Sequence, residues 1–146
     1  MRHGHGHCLC GAVRYKFDPK AVLWQGHCHC ESCRRACAAP MTSYFGVRRT
    51  AWRWAGRTEP KRLQSSSHAE RFFCPDCGTQ LAYRTTKLTD EIHGFAATLD
   101  DPLQFEPEAH FFHAERLAWL HLADDLPRYL DGGKTLEMPK KPARKA

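Results

Sequence analysis

The chain has 146 residues, of which 42% are hydrophobic and 26% charged, and this composition reads as one domain large enough to bury a core. No stretch approaches the roughly 20 apolar residues that a membrane-spanning helix needs, so a membrane is not an expected partner. The formal charge of +6 is concentrated in residues 132–146, where Lys134, Lys140, Lys141, Arg144 and Lys145 face Glu137 alone, so nucleic acid is not the expected partner of the body either.

In chain order, Val13, Tyr15 and Phe17 alternate with Arg14 and Lys16, which predicts a strand with one buried face, ended by Asp18-Pro19. The run His3-Gly4-His5-Gly6-His7 before it reads as a flexible, solvated end. Val22-Leu23-Trp24 is a second strand. Residues His29 to Ala38 tolerate a helix, which Pro40 stops. Met41 to Val47 and Ala51 to Trp54 are strands, with Trp52 and Trp54 on one face as core residues, and Gly56 to Pro60 is a turn. Arg71-Phe72-Phe73 enters a knuckle, Cys74-Pro75-Asp76-Cys77-Gly78, from which Leu81-Ala82-Tyr83 returns. Ile92 to Ala97, Glu108 to Phe112 and Arg116 to Leu122 carry weaker strand patterns. The period is mostly two and turn residues are frequent, so the fold class is mainly β with one short helix. Residues 1–131 are expected to form a single domain and residues 132–146 a disordered basic tail, given its glycines, prolines and scarcity of apolar residues.

The eight cysteines fall largely into three groups: Cys8-x-Cys10, Cys28-x-Cys30-x2-Cys33 and Cys74-x2-Cys77, with Cys37 trailing the second. Thiolates two or three residues apart converge readily on one soft cation. Two pairs and one triplet suit one closed four-thiolate site and one three-thiolate site with a position left for water or substrate. A disulfide framework is the competing reading of an even cysteine count. No apolar run before a small-residue cleavage site is seen near Met1, which sets the expectation of a reducing cytoplasm, where clustered cysteines are metal ligands more often than disulfides. An iron–sulfur cluster is a further alternative, because Cys30-x2-Cys33-x3-Cys37 follows part of a ferredoxin run but lacks the matching upstream cysteine. Joining the first pair to the last closes a loop of roughly sixty residues, where a cross-link removes the most chain freedom. That assigns Cys8, Cys10, Cys74 and Cys77 to a structural zinc and leaves Cys28, Cys30 and Cys33 for the open site.

The segments HCLCGAVRY, CHCESCRR and FCPDCGTQLAY resemble the glutathione-dependent formaldehyde-activating enzyme family, which also includes centromere protein V-like proteins. Pro107, His110, Trp119 and Asp124-Asp125-Leu126-Pro127 follow in the family's order, so the likeness runs from His7 to Tyr129. The resemblance implies a zinc-binding β-tent fold. It also implies two zinc ions per chain, one structural on Cys8, Cys10, Cys74 and Cys77 and one at the glutathione site on Cys28, Cys30 and Cys33. The implied activity is a carbon–sulfur lyase that forms or cleaves S-(hydroxymethyl)glutathione or a related thiol adduct, with Cys28, Cys30 and Cys33 as the catalytic group and glutathione or a similar small thiol as the ligand. The alternative class is a non-catalytic zinc module that binds glutathione or a protein partner.

Other residues carry two readings each. Cys37, where family members usually have a small residue, lies one helical turn beyond Cys33; it either closes the second site as a fourth ligand or is a small buried thiol. Arg34 and Arg35 either hold a carboxylate of glutathione, which an arginine fork suits, or cover the helix surface. His27 and His29 point away from Cys28 if the segment is a strand, which makes them neighbours of the site more than ligands.

Overall fold

The computed structural model describes residues 3–137. The alternation in the sequence becomes ten strands: β1 (Gly4–His7), β2 (Val13–Phe17), β3 (Val22–Cys28), β4 (Thr42–Arg48), β5 (Trp52–Gly56), β6 (Lys61–Ser66), β7 (Ala69–Phe73), β8 (Gln80–Thr85), β9 (Glu91–Phe95) and β10 (Ala109–Phe111). The one α-helix among the described residues, α1, spans Glu31–Cys37. Strands β1, β2 and β5 form a three-stranded sheet; the other seven form a second sheet in the order β10-β3-β4-β9-β8-β7-β6. Every pairing is antiparallel except β10 on β3. The mainly β class with a single short helix is therefore what the chain adopts.

The small sheet closes over the large one. Val13, Tyr15, Phe17 and Trp52 face Phe45, Val47, Phe72, Leu81 and Ile92 in one buried cluster. Tyr15 stacks on Trp52 with ring centroids 4.3 Å apart and Trp52 meets Trp54 edge to face at 5.3 Å, so Trp52 is a core residue and the partly buried Trp54 packs against the core. Burying each such ring contributes roughly 1.5–3 kcal/mol of transfer free energy, and these rings carry much of the join between the sheets. A second, smaller cluster of Cys28, Cys33, Tyr44 and Phe95 lies at the other end of the large sheet.

Three segments differ from the sequence expectation. The glycine-spaced histidines form β1, which pairs with β2 in the register Gly4 to Phe17 and Gly6 to Tyr15. The glycines are buried and the histidines exposed, because aromatic rings of β2 lie across the glycines: a Cβ on Gly4 would enter the Phe17 ring and one on Gly6 the Tyr15 ring. An apolar count misses such a strand, since its buried face has no side chains. Strand β6 is exposed at all six residues and sits at the edge of the large sheet, so it carries no alternation to detect. Arg116 to Leu122 is not a strand. The place beside β10 is taken by Arg128, which bridges His110, while Trp119 is 66% exposed in the intervening loop.

The chain beyond Asp131 remains hydrogen-bonded. Leu130 N–H donates to Thr135 O at 2.7 Å, Glu137 N–H to Arg128 O at 2.7 Å, and the Glu137 carboxylate pairs with His113 at 2.6 Å. Gly132 to Glu137 thus fold back on the domain, although composition assigned them to the tail; residues 138–146 of that tail lie outside the described residues. The Asp131 side chain collects the N–H groups of Gly133, Lys134 and Thr135 on one oxygen. Thr135 first, through backbone and side chain, and then Lys134 and Gly133, hold this carboxyl well below the usual aspartate range.

Two outcomes are expected. Gly6→Ala should destabilise the domain by roughly 1–3 kcal/mol in urea unfolding, because the new Cβ also meets the Thr98 carbonyl oxygen at 2.6 Å and a backbone oxygen yields little. An unchanged midpoint would show that β1 is not seated under those rings. For Asp131 the depressed folded-state value fixes the sign. Its anchoring is complete above about pH 4, where an unfolded aspartate is also ionised, and is lost as pH falls below that. Amide exchange at Gly133, Lys134 and Thr135 should therefore speed up on acidification in the native chain and show no such pH step in Asp131→Asn.

Candidate metal centres

The first cysteine group is assembled by two hairpin turns from opposite sheets. Cys8 and Cys10 lie in the turn joining β1 to β2, where Gly11 takes φ +75° and its N–H donates to Cys8 O at 3.0 Å. Cys74 and Cys77 lie in the turn joining β7 to β8, where Gly78 takes φ +78° and its N–H donates to Cys74 O at 2.8 Å. A positive φ costs glycine little, which lets each short turn present both sulfurs on the same side. The turns are tied together by the Leu9 N–H, which donates to Thr79 Oγ1 at 3.0 Å.

All four sulfurs lie within 4.8 Å of one another, with Cys8 to Cys10 at 3.6 Å and Cys10 to Cys74 at 3.8 Å. A disulfide would bring a pair to about 2.05 Å. Four thiolates placed tetrahedrally about 2.3 Å from a zinc ion stand about 3.8 Å apart. The observed spacing therefore fits metal ligands, and all eight cysteines are free. N–H and O–H groups face the sulfurs: Val13 N–H reaches Cys8 Sγ at 3.4 Å, and the Thr79 hydroxyl lies 3.2 Å from Cys77 Sγ. The Thr79 hydroxyl and then its N–H pull the Cys77 thiol down to about 5, toward the ionised form that a metal takes.

The second group forms where β3 runs into α1. Cys28 ends the strand, Cys30 caps the helix by accepting from Cys33 N–H at 3.3 Å, and Cys33 sits in the first turn. Their sulfurs also lie within 4.8 Å of one another. Cys37 is not part of this set. It is half-buried and packs beside the cluster, and burial pushes its thiol up to about 11. Two cysteine clusters, one of four and one of three, can thus hold a metal ion.

The surroundings of Cys33 are polar although buried. The Tyr44 hydroxyl from β4 donates to its sulfur at 3.4 Å, and Arg71 Nη2 from β7 reaches it at 3.8 Å. Cys28 and Cys30 first, and then Tyr44 and Arg71, hold the Cys33 thiol well below its ordinary value. Arg71 is 2% exposed and lies over the Tyr83 ring, with its guanidinium carbon 5.1 Å from the ring centre. Sequence reasoning passed over Arg71 because nothing in the chain places it near the triplet. The signal was a charged residue at an alternating position between apolar strand residues.

The two expected substrate residues are otherwise engaged. Arg34 donates from Nε to His29 O at 3.1 Å and from Nη2 to Glu115 O at 3.1 Å, clamping α1 to the 3-10 turn His113–Glu115. Arg35 pairs with Glu31 at 2.8 Å on the exposed face of the helix.

The histidines flanking Cys28 do point away from it. His27 Nδ1 meets Ser43 Oγ at 2.8 Å, while His29, 1% exposed, meets His110 Nδ1 at 2.8 Å through Nε2. His110 is fully buried and donates from Nε2 to Asp124 at 3.0 Å. With the carboxylate accepting from its Nε2–H, His110 is placed to accept at Nδ1 from the Nε2–H of His29. An Asp124–His110–His29 chain thereby fixes the backbone of the Cys28-x-Cys30 loop from behind. His29 stays neutral, since burial and then His110 lower it to about 4.

These features can be set beside known proteins. A family model described as glutathione-dependent formaldehyde-activating enzyme matches residues 3–115. A protein of Schizosaccharomyces pombe named an uncharacterized lyase is 34% identical over 89 residues, which are 59% of this chain and 61% of that protein. The chain thus spans less than two thirds of that relative's length. A solved structure of a Rhodobacter sphaeroides protein aligns with TM-score 0.55 and 22% identity, over 66% of this chain and 87% of the other, a likeness of fold. With the match extending through both cysteine groups and both sheets, the chain belongs to the glutathione-dependent formaldehyde-activating enzyme family.

Proposed function

We propose that this protein is a zinc-dependent carbon–sulfur lyase acting on S-(hydroxymethyl)glutathione or a related adduct of a small thiol. The observation that carries the reading is the contrast between the two clusters: four converged sulfurs at the hairpin turns and three at the strand-to-helix junction, a set that does not include the neighbouring Cys37. Four thiolates complete a tetrahedral ion and make a staple, whereas three leave a position for a ligand. Cys8, Cys10, Cys74 and Cys77 would hold the structural ion, and Cys28, Cys30 and Cys33 the second. A zinc ion at the second set supplies a soft site at which an added thiol is held as thiolate near neutral pH.

The chain's own residues set the conditions for that chemistry. The Cys30 sulfur is kept in place by the Cys33 N–H, and Cys33 by the Tyr44 hydroxyl and Arg71. Tyr44 and Phe95 pack against Cys28 and Cys33, and Cys30 is half-buried. In the forward direction the thiol sulfur adds to the carbonyl carbon of formaldehyde, the sulfur–carbon bond forms, and the proton lost by the thiol ends on the aldehyde oxygen. Cleavage reverses each transfer, so no oxidant or reductant is consumed. Much of the gain would come from orienting two small reactants. The reducing cytoplasm is the compartment that suits eight free thiols. No helix among the described residues is long and apolar enough to cross a membrane.

The test is the visible spectrum of the cobalt-loaded protein during a glutathione titration, together with two variants. A saturable change in the cobalt bands is the expected result. Two sets of bands indifferent to glutathione would sink the lyase reading and favour a zinc module without a thiol substrate. Cys30→Ser should abolish thiol binding while leaving the fold intact. Cys74→Ser should unfold or aggregate the protein, since a structural zinc is part of the folding free energy. Equal stability losses in both would remove the division into staple and site.

A further inference from the structure

A buried cation with no carboxylate beside it is costly unless some negative group answers it. Arg71 is such a cation. It is 2% exposed, and among the described residues it makes no ion pair with a carboxylate; its neighbour Glu70 is engaged with Arg62 at 3.5 Å and Arg84 at 3.9 Å instead. One terminal nitrogen, Nη2, reaches Ser32 Oγ at 3.1 Å and Cys33 Sγ at 3.8 Å. The other, Nη1, is buried and has no hydrogen-bond partner. An orphaned donor on a guanidinium whose other nitrogen already touches a cluster sulfur marks the place of a missing acceptor.

The charge balance of the cluster says what that acceptor is. Three thiolates around a dication leave a net charge of −1, which repels any further anion. Arg71 brings the set to neutrality, so an anionic ligand no longer enters against a negative site. We propose that Arg71 is the anion-recognising residue of the three-cysteine site: it offsets the excess thiolate charge, gives its free Nη1 to an anionic ligand and so selects thiolates and other small anions over neutral donors. This rests on reading the triplet as a thiol-binding metal site, and it deepens that reading by naming the charge of the substrate atom. Arg34 and Arg35, the arginines nearest in sequence, are instead hydrogen-bonded to His29 O, Glu115 O and Glu31.

The experiment compares native protein, Arg71→Met and Arg71→Lys, each loaded with cobalt, with its metal content measured. Each is titrated with glutathione, with azide as an anion that is not a thiol, and with imidazole as a neutral donor. Arg71→Met should bind glutathione and azide about 10- to 100-fold more weakly, the order expected for one buried charge-assisted hydrogen bond, with imidazole unchanged. Arg71→Lys should recover most of the loss, which a purely packing role would not produce. Equal weakening for imidazole, or undiminished anion affinity in Arg71→Met, overturns the proposal. If Arg71→Met fails to retain cobalt, the native protein decides the matter. A preference for azide over imidazole supports the role and equal affinity overturns it. Native protein that answers azide but not glutathione keeps Arg71 in its role and removes the thiol-adduct function; response to glutathione that survives intact in Arg71→Met does the reverse.

Discussion

The convergence of two hairpin turns at Cys8, Cys10, Cys74 and Cys77 is the constraint on which the rest of the structure depends. One turn belongs to the small sheet and the other to the large sheet, and the sulfurs of Cys10 and Cys74 meet at 3.8 Å across 64 residues of chain. A three-stranded sheet with a glycine-faced edge strand has little of its own to hold it. Docked through this junction, it lays Tyr15, Phe17 and Trp52 onto Phe45 and Leu81 and completes the main core. The junction and the aromatic stack are two halves of one joint between the sheets.

The second cluster follows from the geometry of the large sheet. Strand β3 is flanked by β4 and β10, so the loop after Cys28 is supported from both sides. From β4, Tyr44 approaches Cys33; from the side of β10, His110 holds His29. His29, one residue past the end of β3, turns to His110 while Cys28 joins the sulfur cluster, which separates the soft sulfur ligands from the imidazole chain that braces them. A buried polar assembly of this kind is stable only when its members are satisfied. The unpartnered Arg71 Nη1, His29 Nδ1 and Thr42 Oγ1, the last opposite Cys28, therefore stand out around the triplet.

Much of this was legible beforehand. Close cysteine spacing forces sulfurs together locally, so the pairs and the triplet carried their meaning without a fold. The alternation at Val13, Tyr15 and Phe17 and the proline after α1 act within a few residues and were equally readable. The grouping of Cys8 and Cys10 with Cys74 and Cys77 came from a loop-closure argument, and the sulfur distances agree with it. For Arg34 and Arg35, nearness in sequence on a seven-residue helix says nothing about which way a long side chain turns, and both turn to groups of the protein itself.

What the sequence determined by itself, then, was local: the class of the fold, the short helix, and two soft-ligand clusters of different size. The tertiary structure alone decided the rest, because those features depend on residues far apart in the chain. Glycines become strand residues only when rings from β2 lie across them. Arg71 becomes part of the triplet's surroundings only because β7 lies in the same sheet as β4, across a sequence separation of 38 residues from Cys33. Spacing can bring donors together, but the charge that answers them is chosen by the sheet.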